Sequence, residues 1–253
     1  MDPPYLSLVI PAYNESLRIP KSLELIRRHF ESKPFRIELI VVDDGSTDRM
    51  PCFLRSAAAA WPLIRVLRNE PNQGKGFSVQ RGVLEATGEY VMFTDADLSA
   101  PIEEADKLLA LLETTGADAV IGSRALDRTR IGVHQSRFRE FSGIAFNLLV
   151  RVFTGLNIRD TQCGLKLFRR STTRKAFQLQ RVKGFGFDPE ILFLIQRAGG
   201  RIIEEPVAWN HDPSTKVRFL RDSTRMFWEL ISFRCNALLG RYRECGIRNR
   251  DRE

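Results

Sequence analysis

The sequence predicts an α/β fold built on a mostly parallel sheet, and three observations predict it. Short apolar runs alternate with stretches of helical periodicity through the first half of the chain. Two of those runs end in carboxylates, Ile40-Val-Val-Asp-Asp44 and Tyr90-Val-Met-Phe-Thr-Asp-Ala-Asp97. With 253 residues, 43% of them hydrophobic, the chain can bury a large core as one globular body, residues 1–253, without a Pro/Gly-rich linker.

Leu6 to Ile10 reads as the first strand, followed by a helix on which Ile19, Leu23, Ile26 and Phe30 share one face. Ile37 to Val42 and Ile64 to Leu67 are the next strands, and Tyr90 to Phe93 is a further one. Asp95-Ala-Asp97 follows it directly; Ser99 and Pro101 then read as N-cap and first residue of a helix carrying Ala105, Leu108, Leu109 and Leu112. Ala119 to Ile121 closes the series. In parallel sheets ligands bind beyond the carboxyl ends of the strands, where Asn14, Asp43, Asp44, Asp95 and Asp97 all fall.

Asp95 and Asp97 carry the sharpest chemical signal. In extended chain, residues two apart face the same way, so both carboxylates would present oxygen to one divalent cation such as Mg²⁺ or Mn²⁺. Such an ion keeps further positions for water and substrate phosphates, which points to a phosphorylated substrate. The competing reading is that the aspartates only begin the next helix.

Charge divides the chain in two. Residues 1–122 form an acidic half and 123–253 a basic one: up to residue 120 there are 13 Lys+Arg against 18 Asp+Glu, and beyond it 26 against 13. The second half therefore expects an anionic partner: a membrane surface, a phosphorylated acceptor or nucleic acid, the last resting on charge alone. Two stripes in it are amphipathic: Phe141, Ile144, Ala145, Leu148, Leu149 and Val152 beside Arg137, Arg139 and Arg151, and Phe227, Ile231, Cys235 and Leu238 among Arg225, Arg234, Arg241 and Arg243. They fit helices lying in a membrane interface, or helices packed on the core with snorkelling arginines.

No run approaches the about 18 apolar residues that span a bilayer. Four cysteines without Cys-x-x-Cys spacing fit a reduced setting, and Cys163 reads as packed rather than nucleophilic. No Walker P-loop and no Gly-x-Gly-x-x-Gly is present. His29 and His134 are read as surface residues, while His211 is a candidate to approach the metal or diphosphate from a loop.

Seven segments together carry a resemblance: Ile10-Pro-Ala-Tyr-Asn-Glu15, Val41-Val-Asp-Asp-Gly-Ser-Thr-Asp48, Asn72-Gln-Gly-Lys-Gly76, Thr94-Asp-Ala-Asp97, Gly122-Ser-Arg124, Asp160-Thr-Gln-Cys-Gly-Leu-Lys166 and Phe187-Asp-Pro-Glu190. Over about residues 5–220 the chain resembles the inverting family 2 glycosyltransferases of GT-A fold, particularly the polyprenyl-phosphate (dolichyl-phosphate) glucosyl- and mannosyltransferases. The Asp-Thr-Gln-Cys-Gly stretch looks most like the glucosyltransferase branch.

The resemblance implies a Rossmann-like, mostly parallel sheet flanked by helices, with a C-terminal acceptor-side half. It implies that Pro11, Tyr13, Glu15, Asp43, Asp44, Gly74, Lys75, Asp95 and Ala96 surround the nucleotide sugar, and that Asp95 and Asp97 bind Mg²⁺ or Mn²⁺. Ser99 stands where some mannosyltransferases supply a third ligand and is not counted as one. Arg124, Arg139, Ser214 and Lys216 are implied to grip an acceptor phosphate. Asp97, Arg124 and Asp188 form the catalytic set, Asp188 in a positioning or electrostatic role or, on the blander reading, as a helix N-cap.

The expected activity is metal-dependent, inverting transfer of a hexose, with UDP-glucose as donor, to a polyprenyl or dolichyl phosphate at the cytosolic face of a membrane. Its partners are the nucleotide sugar, the lipid, the membrane surface, with room for a membrane-protein partner, and no nucleic acid. The alternatives are a GDP-mannose-dependent mannosyltransferase, a same-fold enzyme with a hydroxyl acceptor, and a non-catalytic nucleotide- or membrane-binding module.

Overall fold

A computed structural model describes residues 3–133, 137–210 and 219–242. Among the described residues there are nine strands and eight α-helices: β1 (Leu6–Ala12), α1 (Ile19–Glu31), β2 (Ile37–Asp43), α2 (Met50–Ala60), β3 (Ile64–Arg68), α3 (Lys75–Glu85), β4 (Tyr90–Phe93), α4 (Glu104–Thr115) and β5 (Ala119–Ser123) in the first half. The second half adds β6 (Ile131–Val133), α5 (Arg137–Thr154), β7 (Lys166–Arg169), α6 (Arg170–Leu179), α7 (Phe187–Arg197), β8 (Ile202–Pro206), β9 (Trp209–Asn210) and α8 (Phe219–Leu238).

Seven strands make the main sheet in the order β3-β2-β1-β4-β7-β5-β8, and β6 pairs with β9 in a small second sheet. The inner strands are mostly apolar, as strands covered on both faces are, and the polar side chains Ser7, Glu38, Asp43 and Lys166 among them are buried. Alternate residues of β1 face opposite layers: Leu6, Leu8 and Ile10 pack with α1, α2 and α4, whereas Val9 packs on the side of α3, α6 and α7. Two core layers thus flank the seven-stranded sheet, one on each face.

One strand departs from the parallel rule, and it matters for the site. Strand β7 runs antiparallel between β4 and β5, with Lys166 opposite both Phe93 and Ile121. An antiparallel strand begins where its parallel neighbours end, so the loop entering β7 is delivered to the carboxyl edge of the sheet.

Helix α4 starts later than its sequence suggests. Its N-cap is Glu103, not Ser99, and Ala105, Leu108, Leu109 and Leu112 form the buried face. Residues between Phe93 and the helix turn instead: Leu98 N–H donates to Asp95 O at 3.1 Å, and Leu98 takes φ of 50°. His29 is likewise less exposed than expected, with Nε2 3.2 Å from Asp106 Oδ1, tying α1 to α4 beside Lys33.

Candidate functional site

The site lies beyond the carboxyl ends of β1, β2 and β4, where three loops are laced together. Asn14, in the left-handed region at φ 55°, accepts from Thr47 N–H at 2.8 Å and Asp48 N–H at 3.2 Å, while its own N–H donates to Ser46 Oγ at 2.8 Å. The loops after β1 and β2 are thereby locked in register. Ser22 Oγ on α1 donates to Ala96 O at 2.6 Å, fixing the turn that follows β4.

Strand β4 ends at Phe93, so Asp95 and Asp97 sit on a turn and not in extended chain. The spacing argument for a shared direction therefore does not hold, yet the two carboxylates still interact. Burial, and next the charge of Asp95, push the Asp97 carboxyl above its ordinary range. Ser99 N–H donates to Asp97 Oδ1 at 3.0 Å, and Arg18 Nη1 lies 3.8 Å from Asp97 Oδ2. Lys75 Nζ lies 2.6 Å from Asp95 Oδ1. A cleft of about 330 Å³ opens beside Asp97, lined by Arg18, Lys21, Ser22 and Leu98 among others.

The Asp160–Lys166 segment, carried to this edge by β7, builds the other wall. Asp160 receives Arg124 through Nε at 2.7 Å, Nη2 at 2.9 Å and the backbone N–H at 3.0 Å. Burial alone would raise the Asp160 carboxyl, but the guanidinium beside it holds it down at about 2. Trp209 stacks under the same guanidinium, 5.4 Å from its ring centre.

Gly164 abuts Asp95: a Cβ there would lie 2.0 Å from Asp95 Oδ2. Lys166 is 1% exposed and donates to Asp188 Oδ1 and to Cys163 O, each at 2.5 Å. Burial raises the Asp188 carboxyl, outweighing the pull of the Lys166 and Lys75 ammoniums. Helix α7 is capped at Gly186, so Asp188 sits inside its first turn and is not the N-cap. The Cys163 thiol, wholly buried, is pushed up to about 11, which leaves it inert as a nucleophile.

At the end of β2, Asp43 is 1% exposed; Oδ1 accepts from Ser46 N–H at 2.9 Å and Oδ2 pairs with Arg68. Asp44 is committed to the next loop, accepting from Gln73 N–H at 2.9 Å and Asn69 Nδ2 at 2.8 Å on Oδ1, and from Gly74 N–H at 2.8 Å on Oδ2. Gly74 takes φ of 103° with Lys183 O where a Cβ would go, so this turn admits only glycine without strain. It starts α3 and presents Lys75. Pro11 and Ala96 are buried in the site floor, Tyr13 is exposed at the rim, and Glu15 is held bidentately by Arg18.

The family model for Glycosyl transferase family 2 matches residues 7–177. Dolichyl-phosphate beta-glucosyltransferase ALG5A of Trichomonas vaginalis is 38% identical over 85% of this chain and 68% of its own length. The chain belongs to glycosyltransferase family 2. The dolichyl-phosphate beta-glucosyltransferase of Saccharomyces cerevisiae is 34% identical over 95% of this chain and 77% of that one, and the Homo sapiens protein of the same name 32% over 94% and 77%. Among solved structures, glucosyl-3-phosphoglycerate synthase from Mycobacterium tuberculosis, in complex with Mn²⁺, UDP and glucosyl-3-phosphoglycerate, covers 98% of this chain at a TM-score of 0.65 and 23% identity. That likeness bears on the fold, which is the GT-A arrangement expected from the sequence.

Within this family 2 glycosyltransferase, the structure brings Asp95, Asp97, Lys75, Arg124 and Asp188 to one sheet edge through the contacts above. Arg139 lies on α5 with its side chain outside the described atoms, and Ser214, Lys216, His211 and His134 lie outside the described residues. Asn14 falls at the strand ends as the sequence suggested, whereas Gly164, Asp160, Lys166 and Arg18 are structural members of the site that residue types alone did not single out. Lys166 and Asp160 were legible only as part of a motif, because their partners are 22 and 36 residues away.

Proposed function

We propose that this chain transfers glucose, with inversion, from UDP-glucose to a dolichyl or related polyprenyl phosphate at the cytosolic face of a membrane. The observation that carries the reading is a single edge where a carboxylate pair suited to a diphosphate-bound cation meets a carboxylate, Asp188, already ion-paired to Lys166. The names of the relatives in Trichomonas, yeast and human support the choice of donor and acceptor.

Asp95 and Asp97 fit a divalent cation, Mg²⁺ or Mn²⁺. They are close enough for one to raise the other, and a lysine ammonium already leans on Asp95, so the pair calls for positive charge. Carboxylate oxygens are the donors hard cations prefer, with donor diphosphate and water filling the other positions. Bound there, the cation would stabilise charge on the departing diphosphate.

The chain's own residues do the rest. Asp44 holds the Gly74 turn, and Asp43 and Tyr13 border the nucleoside. Arg124, Arg139, Ser214 and Lys216 grip the acceptor. A phosphate monoester has a second pKa of about 6 and arrives largely as the dianion, so no proton need be removed before attack. Asp188, bound to an ammonium, then acts by position and field.

Exposed apolar side chains on α5 (Ile144, Leu148, Val152) and α8 (Trp228, Leu238), interspersed with Arg151, Arg225 and Arg234, supply the membrane-facing surface. Among the described residues no helix is long and apolar enough to cross a membrane.

The test is incubation with Mg²⁺ or Mn²⁺, a panel of UDP- and GDP-sugars and a polyprenyl phosphate, followed by mass analysis of the lipid. A hexosyl-phospholipid formed from UDP-glucose is expected; transfer from GDP-mannose alone, or only to a hydroxyl acceptor, overturns the reading.

A further inference from the structure

Lys75 stands where the proposed cation must bind. Its Nζ lies 2.6 Å from Asp95 Oδ1, in a pair whose side chains are 20% and 36% exposed. The two compete for one carboxylate: a divalent ion on Asp95 neutralises it and repels the ammonium beside it.

The backbone carrying Lys75 cannot retreat. Gly74 N–H and Gln73 N–H are both held by the Asp44 carboxylate, and Gly74 is wedged against Lys183 O. Only the flexible four-carbon side chain can move. Of the other carboxylates near Lys75, Asp188 is already taken by Lys166 at 2.5 Å, and Asp97 belongs with Asp95 to the proposed cation. The anion left for a displaced Lys75 is the diphosphate that arrives with the cation.

We propose that Lys75 is an exchangeable counter-ion: it neutralises Asp95 while no divalent cation is bound, and passes to the donor diphosphate as the cation takes Asp95. The inference rests on the metal reading above. It makes cation and nucleoside diphosphate bind interdependently, since the cation must displace Lys75 and the diphosphate gives Lys75 a new partner. By linkage each ligand then tightens the other by the same factor.

The experiment titrates Mn²⁺, followed by the electron paramagnetic resonance signal of the free ion, into wild type, Lys75→Met, Lys75→Gln and Lys75→Arg, with and without UDP. Circular dichroism checks folding, and Lys75→Gln replaces Lys75→Met should the latter not fold. In wild type UDP is expected to tighten Mn²⁺ binding at least tenfold. The neutral variant should bind Mn²⁺ alone at least threefold more tightly than wild type and lose at least threefold of the coupling to UDP, with Lys75→Arg close to wild type.

A lysine that merely supports the fold would weaken the cation site when removed. Unchanged or weaker Mn²⁺ binding in the neutral variants, or undiminished coupling, overturns the inference while leaving the metal reading standing. Absence of Mn²⁺ binding in wild type, even with UDP, overturns both.

Discussion

Gly164→Ala places one methyl group against the carboxylate on which the proposed cation depends. The new Cβ would lie 2.0 Å from Asp95 Oδ2 and 2.5 Å from Cγ, where ordinary contact begins at 3.4 Å. Asp95 must therefore move by about 1.4 Å, a displacement that typically costs on the order of 100-fold when it disturbs reacting geometry. Because the obstructed group is the end of a partly exposed side chain, the fold itself should tolerate the change.

We expect thermal melting within a few degrees of wild type, but 10- to 100-fold weaker metal-dependent UDP binding, about 1.4–2.7 kcal/mol. Turnover should fall at least as far. Calorimetric titration of UDP at fixed Mn²⁺, with and without chelator, is the assay, and Asp97→Asn is the control that removes a ligand outright. Wild-type Mn²⁺-dependent UDP affinity and turnover in a folded Gly164→Ala would refute the assignment of Asp95 and the role given to the β7 loop.

Three further expectations follow from particular groups. Asp160 has its folded pKa depressed from 3.8 to about 2, so its contribution to stability is present above pH 3.8 and lost as pH falls toward 2. The shift is worth about 2 kcal/mol, and the stability gap between wild type and Asp160→Asn in urea melts should narrow by that amount between pH 7 and pH 2. With a phosphate acceptor, Asp188→Asn should retain measurable transfer while Arg139→Ala raises the acceptor KM far more than it weakens UDP-glucose binding; the reverse order in initial-rate kinetics would favour a hydroxyl acceptor. Flotation with anionic liposomes should be salt-sensitive, since each basic residue near such a surface contributes about 1 kcal/mol, and should drop in Leu148→Glu/Val152→Glu; equal binding to neutral vesicles would exclude electrostatic docking.

The sheet was legible from residue pattern because a buried parallel strand leaves a mark that needs no context. Ile37 to Val42 cannot be water-facing on either side, and Ile19, Leu23, Ile26 and Phe30 can be buried together only on a helix. The acidic strand ends were equally visible, since carboxylates placed directly after apolar runs are unusual enough to mark an edge. Where the reading slipped, local hydrogen bonds had overridden it: Ser99 looks like an N-cap, but its N–H is taken by Asp97 and α4 begins at Glu104.

By itself, then, the sequence determined the fold class, the family and the strand ends after which Asp43, Asp44, Asp95 and Asp97 stand. Only the tertiary structure decided what each charge is set against. Nothing in residue order says that Lys166 holds Asp188, that Arg124 is gripped by Asp160, or that Gly164 is bare to make room for Asp95. Those pairings arise because β7 runs backwards between β4 and β5, carrying residues 160–166 to the end of a strand that closed some seventy residues earlier. Periodicity reports which side of an element is buried, whereas the partner of a buried charge is fixed by distances between elements, which exist only once the sheet has assembled.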